Sequence, residues 1–114
     1  MIEETLLEYL NGILSVPVYM EKPEEDIPDQ YVLLEKTGSG KDNHISSATF
    51  AIQSYAPSLY EAAALSHDIC TAMEQAVSVK NISRSSLNSE YNYTDTTKKQ
   101  YRYQAVFDVV YIDL

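Results

Sequence analysis

The chain has 114 residues, 45% of them hydrophobic, and a formal net charge of −9 from 17 acidic and 8 basic residues. This length predicts a single domain, and the high hydrophobic content excludes an intrinsically disordered protein. Nucleic-acid binding through phosphate contacts needs clustered Lys and Arg, and Lys98-Lys99 is the only adjacent basic pair, so conventional DNA or RNA binding is disfavoured.

The N-terminal segment predicts an amphipathic helix over residues 2–14 and then a short strand over residues 16–20. Glu3 and Glu4 favour a helix N-terminus at this position. Pro17 cannot continue the helix, and it indicates an edge strand or the start of a strand. The apolar side chains at three-and-four spacing along the helix are Ile2, Leu6, Tyr9, Leu10, Ile13 and Leu14.

An acidic loop with two prolines is predicted over residues 21–30, and strands over residues 31–37 and 44–55 follow it. Gly38-Ser39-Gly40 predicts a turn between these two strands. Even positions of the second strand hold Ala48, Phe50 and Ile52, and this period of two predicts that one face lies in the core. The opposite face carries Thr49, Gln53 and Tyr55.

A long helix is predicted to begin near Ser58 and to end at about residue 76. Ser58 and Glu61 have the spacing of a capping box, in which each satisfies a free amide at the start of the helix. Two further strands are predicted over residues 82–93 and 101–112, and the hydrophilic loop 92–100 between them is expected to be mobile. The apolar stripe of the helix comprises Leu59, Ala62, Ala63, Leu65, Ile69, Cys70, Met73 and Val77.

The predicted order of elements over residues 1–114 is therefore α-β-β-β-α-β-β. It predicts an α+β fold with a mainly antiparallel sheet and both helices packed on one face. The last strand places Phe107 and Val109 on one face and Val106 and Val110 on the other. Because both faces are apolar, we predict that much of this strand is covered on both sides.

Residues suited to metal or nucleophilic chemistry are sparse. His44 and His67 are the only histidines, which leaves too few ligands for a zinc site. Cys70 lies three residues from His67, but Asp68 and Glu74 place negative charge nearby, which predicts a buried structural thiol. We therefore expect no catalytic residue, no metal and no cofactor, and a protein that is not an enzyme.

Two other sequence patterns could indicate a functional site: a glycine-rich segment and a cluster of carboxylates. Gly38-Ser39-Gly40-Lys41 is superficially similar to a phosphate-binding loop, but Asp42-Asn43 and a strand follow where Ser or Thr and a helix are needed. The carboxylates of Glu24, Glu25 and Asp26 lie in a loop that offers no pocket to perturb one of them. They are predicted to be solvated or to face a partner.

Several features of the sequence bear on location. A single cysteine excludes an intramolecular disulfide and agrees with a reducing cytoplasm. The segment MIEETLLEYL has acidic residues where a signal peptide has basic ones. No apolar run approaches the ~18 residues needed to cross a bilayer. Secretion and membrane insertion are disfavoured.

In its whole order of parts, the chain resembles the small tail-terminator, tail-completion or neck proteins of long-tailed bacteriophages and prophages. The resemblance spans nearly the entire chain. It lies in the segments IEETLLEYLNGIL, VPVY, an acidic proline-containing loop, YVLLEKTGSG, FAIQSYAPS, LYEAAALSHDICTAMEQA and YRYQAVFDVVYIDL. No single residue carries it, because this family has no catalytic signature.

This resemblance implies a ring subunit, usually one of six, that caps the finished tail tube, stops its polymerisation and joins the tail to the head. It implies contacts with further copies of the chain, with the tail-tube protein and with the head connector. DNA would pass through the ring without specific binding, and acidic groups in the lumen would repel its phosphates. The candidate partner or lumen residues lie in three loops and are Glu21, Glu24, Glu25, Asp26, Asp29, Lys41, Asp42, Asp95, Lys98 and Lys99. Assembly in the bacterial cytoplasm and a place in the virion neck are implied as well.

Three alternatives stay open. Other head–tail connector and minor tail proteins have similar lengths and compositions, so one of these is the first alternative. Its net charge also suits an acidic inhibitor that mimics nucleic acid and blocks a basic protein, although its acids cluster in the first 30 residues. A small enzyme with scattered polar residues would need a deep pocket and a strongly perturbed carboxylate or His67.

Overall fold

The computed structural model describes residues 1–114. Its five strands form one sheet in the order β1-β2-β3-β5-β4, in which β1 is parallel to β2 and all other neighbours are antiparallel. This arrangement confirms the predicted α+β class and the predicted order of elements. The elements are α1 (Ile2–Ile13), β1 (Val18–Tyr19), β2 (Tyr31–Asp42), β3 (Ile45–Tyr55), α2 (Leu59–Glu74), a 3₁₀ turn (Ala76–Ser78), β4 (Ile82–Asn92) and β5 (Arg102–Tyr111).

The core lies between the two helices and one face of the sheet. At its centre, Phe50 of β3 and Phe107 of β5 are cross-strand partners, and neither is exposed to solvent. Replacing a buried Phe by Ala costs about 3–5 kcal/mol, so this pair contributes much of the stability. The helices bury Ile2, Leu6, Leu10, Ala62, Leu65, Ile69 and Met73 against Val32, Leu34, Ile52, Ala105 and Val109 of the strands.

Side-chain hydrogen bonds fix the helices to the rest of the fold. The hydroxyl of Tyr9 in α1 donates to the carbonyl of Ala72 in α2 at 2.8 Å. The side chain of Asn11 both donates to and accepts from the backbone of Val18, which attaches β1 to α1. Ser58 caps α2, because the amide of Glu61 donates to its Oγ at 3.2 Å. Half of the predicted capping box is thus present.

The predicted turn at Gly38-Ser39-Gly40 is wrong. These residues lie within β2, which continues to Asp42, and the chain reverses at Asn43 and His44. Both turn residues have positive φ, 51° and 67°, as a two-residue turn of the type I′ class requires. The pairing of β2 with β3 shifts between Lys36 and Gly38, so the glycines accompany a β-bulge. The candidate residues Lys41 and Asp42 consequently lie in a strand.

The predicted cover on both faces of β5 is also wrong within this chain. Both helices pack on the face that carries Phe107 and Val109, and neither reaches the opposite face. There Val106 and Val110 are half-buried, as is Asp108 between them. Neighbouring side chains on the sheet shield these valines in part, so an apolar pattern on both faces did not require a second layer.

Candidate functional site: the open face and the tyrosine end

The sheet face that the helices leave uncovered, here the open face, carries a cross-strand row of hydrogen-bonded side chains. Gln53 of β3 donates through Nε2 to Oε1 of Gln104 in β5 at 2.8 Å. Gln104 in turn donates to the hydroxyl of Tyr91 in β4 at 2.6 Å. The hydroxyl of Tyr55 donates to Oε1 of Gln53 at 2.9 Å. The row uses neutral groups and links three strands.

A second row crosses the open face nearer the β2–β3 turn. Thr49 donates to one carboxylate oxygen of Asp108 at 2.8 Å, and Asn88 donates to the other at 3.1 Å. Asn88 lies where the pairing of β4 with β5 shifts, between Leu87 and Ser89, so the bulge presents its side chain to Asp108. Both oxygens of this carboxylate are therefore engaged within the chain.

Aromatic rings gather at one end of the sheet, where β2 begins, β3 ends and β5 begins; we name it the tyrosine end. Tyr31 and Tyr55 are stacked with ring centroids 4.6 Å apart, and Tyr19 meets Tyr31 edge to face at 6.3 Å. Burial raises the pKa of Tyr31; proximity to Tyr55 raises it further, whereas Arg102 opposes the shift. The hydroxyl of Tyr31 is therefore neutral at physiological pH, and its ring, like that of Tyr55, is buried.

Arg102 extends this set of rings across β5 to β4. Its Cζ lies 4.6 Å from the ring centroid of Tyr93 and 5.7 Å from that of Tyr55. Its Nε donates to the carbonyl of Tyr93 at 2.7 Å, and its Nη1 donates to the hydroxyl of Tyr55 at 3.0 Å. Tyr93 meets Tyr91 edge to face at 6.0 Å. The tyrosine–arginine belt formed by Tyr19, Tyr31, Tyr55, Arg102, Tyr93 and Tyr91 spans all five strands.

A cleft of about 380 Å³ opens beside this belt, between the acidic loop (residues 21–30) and the β4–β5 connection. Its only charged lining residues are Lys22, Asp29 and Lys99. The remaining lining residues are Ile27, Pro28, Tyr31, Tyr55, Ala56, Pro57, Gln100 and Tyr101. Aromatic and proline side chains therefore form much of its wall, together with two basic groups and one acidic group.

Two of the three predicted loops meet at this cleft. The acidic loop carries Glu21, Glu24, Glu25, Asp26 and Asp29, all exposed. The β4–β5 connection opposite it carries Asp95, Lys98 and Lys99. Lys41 and Asp42 are instead at the other end of the sheet, beside the β2–β3 turn, so the structure does not bring them to the same site.

The β4–β5 connection, here the lysine turn (residues 93–101), is hydrogen-bonded where the sequence predicted a mobile loop. The backbones of Asp95 and Gln100 exchange two hydrogen bonds of 3.0 Å. Oδ1 of Asp95 also accepts from the amides of Thr97 at 3.0 Å and Lys98 at 3.2 Å. The exposed side chains of Lys98 and Lys99 therefore project from a fixed backbone.

Both edges of the sheet are largely free. β1 pairs with β2 only through Val32 and Leu33, which leaves the outer edge of β2 without a partner from Leu34 to Asp42. β4 is the last strand on the opposite side, and its outer edge has no partner along its whole length. Free strand edges present unpaired amides and carbonyls that can pair with another strand.

The environment of Cys70 does not suit a nucleophile. Its thiol is half-buried and lies 3.6 Å from a carboxylate oxygen of Glu90. Burial, with a further contribution from Glu90, raises the pKa of this thiol to about 12, so the reactive thiolate is scarce at neutral pH. The fully buried Ser66 donates to the same oxygen at 2.6 Å. The three side chains attach α2 to β4.

No group of three or more His, Cys, Asp or Glu side chains is arranged to hold a metal ion. Neither helix combines the length and the apolar character that crossing a bilayer demands.

Sequence reasoning missed Arg102 and the polar rows. The abundance of tyrosine and the alternation along β3 and β5 were visible, but the register that places Tyr31, Tyr55 and Arg102 side by side was not. Comparison of the chain with models of known protein families and with curated proteins finds no match to either.

Proposed function

We propose that the chain is a structural subunit of a ring that caps the tail tube of a long-tailed bacteriophage or prophage, stops its polymerisation and joins the tail to the head. The ring assembles in the bacterial cytoplasm and remains in the neck of the virion. The order of elements that carries the resemblance to tail terminators supports this proposal. One geometric observation also supports it: the strands at the two free edges of the sheet, β2 and β4, run in opposite directions.

The free edges allow identically oriented copies to join. β2 and β4 run in opposite directions, because β2, β3, β5 and β4 alternate along the sheet. A copy placed beside another in the same orientation therefore sets its β4 antiparallel to the free part of β2, Leu34 to Asp42. A contact between two different edges is heterologous, and such contacts form a closed ring when the rotation from copy to copy brings the last copy back to the first.

The remaining surfaces supply contacts for partners other than further copies. Tyr and Arg are enriched at the centres of protein interfaces, and the tyrosine–arginine belt concentrates both at one end of the sheet. The tail-tube protein or the head connector would bind there. The exposed carboxylates of the acidic loop and a net charge of −9 disfavour retention of DNA in the lumen.

The proposal is tested by light scattering on the purified protein over a concentration series, alone and with tubes of the tail-tube protein encoded by the same genome. We expect a ring of several copies, either free or formed only on tubes, and shorter tubes when the protein is present during polymerisation. Tubes of an unrelated phage are the matched control. A protein that stays monomeric and does not bind these tubes at any concentration contradicts the proposal. Tight binding to a basic protein would then favour the alternative of an acidic inhibitor that mimics nucleic acid.

A further inference from the structure

The two free edges of the sheet carry opposite charges with the same spacing. In β2, Lys36 precedes Asp42 by six positions, and in β4, Arg84 precedes Glu90 by six positions. All four residues are exposed, and no other element covers either edge at these positions. Antiparallel strands bring both pairs together at once, Lys36 with Glu90 and Asp42 with Arg84.

The paired charges also lie on matching faces of the sheet. Lys36 forms its ion pair with α1, and Glu90 accepts a hydrogen bond from α2, so both lie on the helical face. Arg84 is the cross-strand partner of Val110 and lies on the open face. Asp42 lies there too, because the alternation of β2 continues unbroken from its bulge to the turn. The match of charge is therefore a match of side-chain direction as well.

Each edge strand contains one bulge between its two charges. The pairing of β2 shifts between Lys36 and Gly38, and that of β4 shifts between Leu87 and Ser89. A bulge in only one of two paired strands leaves a residue unpaired and sets the side chains beyond it out of phase. When Lys36 is opposite Glu90, the two bulges are opposite each other, so the faces match along the whole ladder.

We propose that β4 of one copy pairs with β2 of the next in this register, with Lys36 opposite Glu90 and Asp42 opposite Arg84. This inference rests on the proposed ring and names the residues that set the register of its contact. Cross-strand pairs of opposite charge favour the register in which they meet, and they specify the partner edge.

This register differs from the one that level copies would adopt. Inside one chain the ladders through β3 and β5 hold Lys36 level with Leu87, and Ser39 level with Ser85. Copies at the same level would therefore set Lys36 against an apolar side chain. The proposed register moves each neighbour by two residues, about 7 Å along the strand, and sets Ser39 against Leu87.

The first test reverses the charges of one pair, separately and together. Asp42 and Arg84 form no ion pair within the chain, so D42K, R84E and D42K/R84E should keep the wild-type melting temperature. Ring mass is measured by light scattering, alone and with tail tubes. Each single variant should raise the concentration for half-assembly by about threefold to tenfold, and the double variant should restore it. E25K and K98E make the same changes in net charge away from both edges and should assemble normally.

The second test locates the register by disulfide cross-linking. In a C70A background, S39C/L87C should give covalent chains of copies on a non-reducing gel after oxidation with oxidised glutathione. The two edges of one copy are three strand spacings apart, about 14 Å, so a cross-link within a copy is excluded. S39C/S85C is the matched comparison, because these positions meet only when copies are level.

Three results would overturn the inference. Rings that form equally well with D42K, R84E and both changes would show that the lysines and bulges blunt these edges, and would leave the proposed function standing. Stronger cross-linking of S39C/S85C than of S39C/L87C would refute the register alone. A wild-type chain that never assembles, alone or on tubes, would refute both the inference and the proposed function.

Discussion

Tyr31 and Tyr55 lie face to face, with ring centroids 4.6 Å apart and ring planes 4° apart. They are direct cross-strand partners, so the register of β2 against β3 creates the stack. A slip of one residue would turn one of the rings to the helical face and remove the floor of the cleft. The geometry of the tyrosine end therefore depends on what fixes the hairpin at its other end, namely the turn at Asn43 and His44.

The first prediction concerns this turn. His44 has φ 67°, a conformation that costs a residue with a β-carbon more than glycine. We expect His44→Gly to raise the free energy of unfolding by about 0.5–1 kcal/mol, measured by urea denaturation. Gly38→Ala is the comparison, because a methyl group there meets no atom within 4 Å and the residue lies in a strand. Gly38→Ala should not lower the free energy of unfolding. A large decrease would instead indicate that the chain turns at Gly38-Ser39-Gly40.

The second prediction concerns Arg102. Arg102→Ala removes hydrogen bonds to Tyr55 and Tyr93 and the contact of the guanidinium with both rings. We expect a loss of about 1–2 kcal/mol in the free energy of unfolding, together with weaker binding to tail tubes. Arg102→Lys keeps the charge but lacks the planar fork of donors, so it should recover only part of the loss. Full recovery by lysine would show that charge alone matters at this position.

The core of this structure could be predicted from the sequence, whereas the hairpin turn and the tyrosine–arginine belt could not. Period-two and period-3.6 patterns were sufficient for the core, because Phe50, Phe107 and Leu6 are apolar at positions whose spacing defines a buried face. Local signals misplaced the hairpin turn, since glycine marks bulges as well as turns, and Asn43-His44 is a weaker type I′ signal than Asn-Gly. The tyrosine–arginine belt depends on long-range register, which a single sequence does not specify.

The third prediction separates the two faces of β5. Phe107 lies in the core, and its neighbour Val106 lies half-buried on the open face. Phe107→Ala should lower the free energy of unfolding by about 3–5 kcal/mol, whereas Val106→Ala should cost about 1 kcal/mol or less. Denaturation of both variants as monomers provides the measurement. Equal losses would mean that the open face is covered within one chain, contrary to the fold described above.

The final prediction concerns the dependence of stability on pH. Burial, together with Glu90, raises the pKa of the Cys70 thiol from 9.0 to about 12 in the folded chain. The folded state therefore holds this proton more tightly than the unfolded state. The resulting stabilisation is fully present below pH 9 and is lost as the pH rises from 9 towards 12.

We expect Cys70→Ala to reduce the loss of stability over that alkaline range, as measured by urea denaturation at a series of pH values. Tyr9 and Tyr31 also have a raised pKa in the folded chain, so their ionisation lowers the free energy of unfolding at alkaline pH as well. Because both tyrosines remain in the variant, the fall in the free energy of unfolding should become smaller but should not disappear. Glu90→Gln tests the cause independently: without the carboxylate the thiol pKa falls, and alkylation of Cys70 by iodoacetamide near pH 9 should become faster. An unchanged alkylation rate would show that Glu90 does not restrain the thiol, and would leave burial alone as the reason that Cys70 is inert.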